Sequence, residues 1–131
     1  MAAQGGILRA LTGEDTVLRA LLRRGELDDP RSAFFIRQSE RDSGLSVNYD
    51  MTPEECRAQE IFDKTYGVRT LPVASITALN LEIVPDDPHH ANIRGIPHTQ
   101  DDPARAEFLA GRLLRASVLV SEGLVRNPPR P

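Results

Sequence analysis

Apolar residues recur along this chain in short, interrupted runs. In "TGEDTVLRALLRRGE", Val17, Leu18, Leu21 and Leu22 fall at the spacing of one helical stripe. Thr12 with Asp15 three residues later supplies an N-cap and Gly25 a left-handed stop, so the segment is predicted to be a helix. Arg19, Arg23 and Arg24 then lie at its edge or its solvated C-terminal end, where the helix dipole favours cations. After the polar turn "DDPRS", the runs "AFFIRQ" and "LSVNYD" are short and rich in aromatic and β-branched residues. They predict a β-hairpin closed by the loop "SERDSG".

"TPEECRAQEIFDKTYG" carries the strongest local signal: Thr52 as N-cap, Pro53 at N1 and Glu55 at N3 form a capping box. Ala58, Ile61, Phe62, Thr65 and Tyr66 share one face at helical spacing and Gly67 supplies a stop, which predicts a helix over 53–66. "VRTLPV" reads as a strand, "ASITALN" as one or two helical turns ended by Asn80, and "LEIV" and "HHANIRGI" as strands, the second entered from the turn "PDDP". Asp102 as N-cap and Pro103 at N1 open a last helix reaching to Ser121, and the tail "RNPPRP" cannot continue it. Irregular alternation of strands and helices predicts an α+β class, with a mixed or antiparallel sheet and about three main helices. Residues 1–126 are expected to form a single compact domain, and 127–131 a proline-rich tail.

Composition narrows the function classes. With 131 residues the chain sits within the ~100–200 residues usual for one domain. Its 19 acids and 16 bases give a net charge of −3 with no basic block, which argues against nucleic-acid binding. One cysteine, Cys56, excludes an internal disulfide and fits a reducing compartment, so a cytoplasmic location is expected. The start "MAAQGGILRALTGED" has no signal-peptide pattern, and no stretch approaches the ~20 apolar residues that would span a bilayer. Lys64 is the only lysine among the 16 bases, a bias that points to a GC-rich bacterial genome.

All the histidines, His89, His90 and His98, lie in "VPDDPHHANIRGIPHTQDDP" between two Asp-Asp-Pro clusters. If residues 89–95 form a strand, His90, Asn92 and Arg94 share one face, and His89, Ala91 and Ile93 the other. Imidazole, amide and guanidinium together can hold and polarise a phosphate or carboxylate. Adjacent histidines on a regular strand cannot ligate one ion, and a set drawn from Asp86, Asp87, His90 and His98 needs loop flanks, so no metal site is assigned. The aspartates also serve as turn formers, and Asp102 as a cap. Arg105, Arg112 and Arg115 share a face of the last helix, either as its wet side or as a surface for an acidic partner. Cys56, one turn into a capped helix with no histidine near it in sequence, is expected to be inert.

In order along the chain, "ILRAL", "RRGELDDPRSAFFIR", "GLSVNYD" and "TPEECRAQE" resemble the first half of RES-domain toxins, which belong with ADP-ribosyltransferase-like, NAD-consuming enzymes. The resemblance covers roughly residues 1–60. It implies that Arg9 and Ser46 help hold NAD and that Glu55 or Glu60 orients the ribose. "GVRTLPVASITALNLEIVPDDPHHANIRGIP" is similar to a pattern in small uncharacterised bacterial proteins. The leading expectation is a protein-interaction or accessory module of a bacterial defence or toxin-type operon, binding a protein partner or a second copy. The alternative is an NAD-using or phosphate-directed enzyme in which Arg9, Ser46 and His90 are catalytic and Asn92 and Arg94 bind, with NAD as cofactor in that case alone.

Overall fold

A computed structural model describes residues 8–129. Met1 to Ile7, which include the first residue of "ILRAL", and Arg130 and Pro131 of the predicted tail lie outside the described residues.

Six strands, β1 (Thr16–Leu21), β2 (Leu45–Asn48), β3 (Lys64–Pro72), β4 (Glu82–Asp87), β5 (His90–Arg94) and β6 (Val118–Arg126), form one sheet in the order β4-β5-β2-β1-β3-β6. Every neighbouring pair is antiparallel. The helices among the described residues are α1 (Arg24–Asp28), α2 (Pro53–Arg57), α3 (Val73–Thr77) and α4 (Pro103–Ala116), with 3-10 turns at Pro30–Phe34 and Gln38–Glu40. The fold is therefore α+β, with an antiparallel sheet. No helix among the described residues is long and apolar enough to cross a membrane.

Several predicted elements change identity, each for a physical reason. "TVLRAL" is strand β1, not a helix, because it is one of the two central strands of the sheet and is buried on both sides. Val17 and Leu21 enter the main core, while Leu18 and Ala20 enter a second cluster on the opposite face. A strand buried on both faces carries a continuous apolar run, and such a run also satisfies a helical stripe. Asp15 accepts hydrogen bonds from Thr12 N at 2.7 Å and Oγ1 at 3.3 Å, closing a turn ahead of the strand, and Gly25 opens α1 instead of ending a helix.

"AFFIRQ" is a 3-10 turn followed by extended chain, so the predicted hairpin does not form. Strand β2 pairs with β5 along its length and touches β1 only at Leu18 and Asn48. The capping box at Thr52 forms as expected, with Glu55 N donating to Thr52 Oγ1 at 3.1 Å and Thr52 N donating to Glu55 Oε1 at 2.8 Å. The helix nevertheless stops at Arg57, since Lys64–Pro72 is claimed by pairing with β1 and β6. Helix α4 ends at Ala116, five residues before the predicted end at Ser121, and "VLVSEGLVR" becomes edge strand β6.

The main core lies between one sheet face and α3, α4 and the Pro30–Phe34 turn. There Leu21, Leu45, Val47, Leu71 and Ile93 pack with Phe34, Ile76, Leu109 and Leu113. On the other face α2 covers only part of the sheet. Cys56 packs with Leu18, Ala20 and Val68, and Arg57 donates to Thr65 Oγ1, Ser121 Oγ and the carbonyl of Gly123. Helix α2 thus covers β1, β3 and β6 and leaves the β4-β5-β2 half of that face open.

Arg19, expected at a solvated helix edge, is fully buried in β1. Its Nε donates to Ala33 O at 2.8 Å, Nη1 to Glu40 Oε2 at 2.5 Å and to Ser46 O at 2.9 Å, and Nη2 to Glu40 Oε1 at 3.1 Å. Burial pushes the Glu40 carboxyl up, but Arg19 and Arg37 beside it outweigh that and hold it below its ordinary value. Its stabilising contribution is therefore complete above the unfolded carboxyl pKa and lost as pH falls through the lower folded one. Glu40→Gln leaves a buried guanidinium without a counter-charge and is expected to cost about 3–5 kcal/mol. Arg19→Met combined with Glu40→Leu should cost far less than the two single changes added together. Urea unfolding of Glu40→Gln, of Arg19→Met and Glu40→Leu singly and of the double variant measures both expectations, and strict additivity would contradict the buried-pair account.

Candidate active site

The open half of the second sheet face is polar because of strand register. Ser46 stands opposite Asn92, and Asn48 opposite His90, so these four side chains share one face, as alternation along β5 predicts for His90, Asn92 and Arg94. Strand β4 pairs next to β5, but between Pro85 and Asp87 its register slips by one residue. Asp86 is the extra residue. A bulge of this kind bends the strand and re-aims a side chain. Here the Asp86 carboxylate turns back onto β5.

The result is a continuous hydrogen-bonded chain. Ser46 Oγ lies 2.5 Å from His90 Nε2, and His90 Nδ1 lies 2.6 Å from Asp86 Oδ1. Asn92 Nδ2 donates to the second carboxylate oxygen, Asp86 Oδ2, at 2.9 Å. Burial pushes the Asp86 carboxyl up, but hydrogen bonds from His90 and Asn92 outweigh it and hold the group below its ordinary value. An ionised Asp86 keeps the proton on Nδ1 and leaves Nε2 as the acceptor for the Ser46 hydroxyl. The His90 side chain is 25% exposed and that of Asp86 50%, so the chain is reachable from solvent. Beside His90 runs an open groove of about 460 Å³ lined by Asn48, Met51, Gln59, Ile61, Asp87 and His89. The Arg94 side chain, on the same face of β5, makes no hydrogen bond or ion pair among the described residues.

The backbone of Ser46 is held from behind. Its N–H donates to Glu40 Oε2 at 2.9 Å and its carbonyl accepts from Arg19 Nη1 at 2.9 Å. These side chains replace the ladder that β1 would supply, since β1 and β2 pair only at Leu18 and Asn48. The buried ion pair and the half-buried serine are thus directly linked.

Other candidates lie elsewhere. Arg9 precedes β1 and is committed to two carboxylates: Asp50 through Nε at 2.9 Å and Nη2 at 2.8 Å, and Asp15 through Nη1 at 3.1 Å and Nη2 at 2.9 Å. Its guanidinium also lies 5.4 Å from the centre of the Tyr49 ring. Arg9 makes no contact with Ser46 or His90 and works as a clamp between the start of the chain and the β2 end. Glu55 is spent in the capping box, and Glu60 lies in the turn after α2. His89 sits in the two-residue turn between β4 and β5, not on a strand face, and Asp87 accepts from its N–H at 2.8 Å. His98 accepts from Gln100 N at 3.1 Å. Among the described residues no group of three or more His, Cys, Asp and Glu side chains is placed to hold a metal ion. Arg105, Arg112 and Arg115 are on α4, which packs against the opposite side of the sheet.

Glu40 draws no notice in the sequence, and Asp86 is weighed there only as a turn former or as one of a set of metal ligands. Asp86 reads as a turn former in "DDP", and the available signal was its place four residues before His90 across a tight hairpin. No family model, curated protein or solved structure matches this chain. The geometry carries the functional argument alone.

Cys56 is sealed behind the site. Its Sγ donates to Asn48 Oδ1 at 3.6 Å, and burial pushes the thiol up to about 11. The native protein is expected to resist a thiol reagent such as iodoacetamide at pH 8, and to react fully in denaturant. Rapid labelling of the native chain, followed by mass spectrometry, would refute that placement.

Proposed function

We propose that the chain is a hydrolase that uses Ser46 as its nucleophile, His90 as general base and Asp86 to orient and stabilise the imidazole. The single observation that carries this reading is the unbroken chain Ser46 Oγ–His90 Nε2, His90 Nδ1–Asp86 Oδ1 on an open sheet face. In that arrangement Ser46 Oγ attacks a carbonyl carbon while its proton passes to His90 Nε2. Asp86 faces the Nδ1–H and stabilises the imidazolium that forms. His90 then gives the proton to the departing oxygen. A water molecule, deprotonated by the same nitrogen, attacks the acyl carbon, and the proton returns from Nε2 to Ser46 Oγ as the bond from that oxygen to the acyl carbon breaks. Arg94, without an ionic partner among the described residues, is free to meet negative charge that develops beside Ser46. The groove next to His90 offers Met51 and Ile61 as apolar surface and Asn48 and Gln59 as amides, which suits the leaving group of a small ester.

This reading keeps Ser46, His90, Asn92 and Arg94 from the enzyme alternative but does not use NAD, because all five N–H groups of Arg9 are already donated, the fifth to Ala10 O at 3.4 Å. A bacterial, cytoplasmic setting is part of the proposal. It is supported by one buried cysteine and by a basic complement that is arginine except for Lys64. The RES-like order of the first half supports a toxin or defence operon.

A fluorophosphonate probe tests the proposal without knowledge of the substrate. It is expected to label Ser46, with labelling lost in Ser46→Ala and reduced about 10²–10⁴-fold in His90→Ala, the span typical of a general base. Asp86→Asn should slow labelling while leaving the thermal midpoint nearly unchanged, since Asp86 is half exposed. A native protein that takes up no label, or takes it up equally in His90→Ala, would overturn the nucleophile assignment.

A further inference from the structure

Helix α4 turns Ala106, Leu109, Ala110 and Leu113 into the core. On its outer side Phe108 is 49% exposed, an unusual place for the largest apolar side chain of the helix. Arg105 and Arg112, one turn before and one turn after it, hold their guanidiniums 5.7 and 5.8 Å from the ring centre. Arg115 continues the row. Next to the ring an open groove of about 600 Å³ is bounded by Arg31, Glu107, Phe108, Arg112, Leu114 and Arg115.

Charge is the informative feature. The chain has 19 acids against 16 bases, yet Arg105, Arg112 and Arg115 make no side-chain hydrogen bond or ion pair among the described residues. Glu107, the only acid on α4, pairs instead with Arg31 at 3.6 Å. Several arginines elsewhere are met by carboxylates, Arg9 by Asp15 and Asp50, Arg19 by Glu40, Arg37 by Glu26 and Arg41 by Asp101, while Arg57 and Arg69 bond to neutral oxygens. The α4 row spans about 15 Å at 1.5 Å per residue. It is too short and too sparse in cations to track a nucleic-acid backbone, whose recognition rests on many phosphate contacts.

We propose that this row is a docking surface for an acidic protein segment, in which carboxylates meet Arg105, Arg112 and Arg115 and an apolar side chain packs on Phe108. The partner chemistry follows from complementarity: three cations lacking counter-charges, with an apolar ring held between two of them. Arginine and aromatic residues are also the side chains most enriched at the energetic centres of protein interfaces. The surface lies across the sheet from Ser46, so its occupancy and the Ser46 chemistry can be tested separately.

The test uses the full chain and a fluorescent peptide of about 15 residues, rich in glutamate with a central leucine, a length chosen to cover the row as a helix. Binding is followed by anisotropy at low and high salt. The expected result is saturable binding that weakens with salt, at least about tenfold weaker in Arg105→Glu/Arg112→Glu/Arg115→Glu because like charges now face each other. Phe108→Ala should weaken binding at high salt as well, where screening has removed most of the charge term. Unchanged thermal melts establish that the variants fold. A peptide that does not bind, or binds the triple variant equally, overturns the proposal. So does tighter binding of a single-stranded oligonucleotide or of anionic phospholipid vesicles at equal charge, which would assign the surface to phosphates instead.

Discussion

Arg19 is a guanidinium placed by sequence in a central strand buried on both faces, and a cation in that position must find a counter-charge and a full set of acceptors. Glu40 supplies the charge, and the carbonyls of Ala33 and Ser46 supply acceptors. Glu40 reaches that depth because Gln38–Glu40 is a 3-10 turn whose entry is fixed by Arg37 N, which donates to Glu40 Oε1 at 2.8 Å. Arg37 is anchored in turn by Glu26, whose Oε1 also accepts from Leu22 N at 2.8 Å. A row of alternating charges therefore runs from the end of β1 through the irregular segment 23–44 and back to β2. Together with Ala33, Phe34 and Ile36, which are buried in the main core, it fixes the path of that stretch.

The same network determines what the open face can do. Strand β2 diverges from β1 after one paired position, which frees the main chain of Ser46 from its ladder on that side. A free backbone at Ser46 would blur the position of its side chain. Because Glu40 takes the N–H and Arg19 the carbonyl, Ser46 Oγ is held against His90 by groups that belong to the core. On the other flank the slip at Pro85–Asp87 brings the Asp86 carboxylate to Nδ1, and Asn92 fixes its second oxygen. Rigid support on both sides is what a general-base geometry requires, since a displacement of about 1 Å costs orders of magnitude in rate.

Local chemistry was legible in the residues, and competition between elements was not. Thr52, Pro53 and Glu55 announce a helix start, and Asp102 with Pro103 announces another, because caps depend only on neighbours in sequence. The shared face of His90, Asn92 and Arg94 follows from strand alternation alone. By contrast, "TVLRALL" satisfies a helix stripe and a strand buried on both faces equally well, and only the strands on either side decide. The run after Arg57 keeps helical spacing through Tyr66, yet Ile61 on that supposed apolar face is 68% exposed, because the chain from Lys64 onward is taken up by pairing first with β6 and then with β1 as well. Arg19 was hidden for the same reason: its burial becomes evident only once the run is known to be a strand.

Asp86 illustrates why candidate chemistry escapes a linear reading. In "PDDP" each aspartate has a sufficient local explanation as a turn former, and Asp87 fills it by accepting from the His89 N–H. Once Asp87 has taken the turn, Asp86 is surplus to the hairpin, and the register slip is the price of including it. An ordinary two-residue hairpin would close without that residue and would leave His90 Nδ1 facing solvent. The bulge bends this edge strand at the position from which the Asp86 carboxylate reaches both His90 and Asn92. Arg9 makes the contrast: its carboxylates tie one loop to another, whereas Asp86 ties itself to an imidazole whose other nitrogen faces a serine.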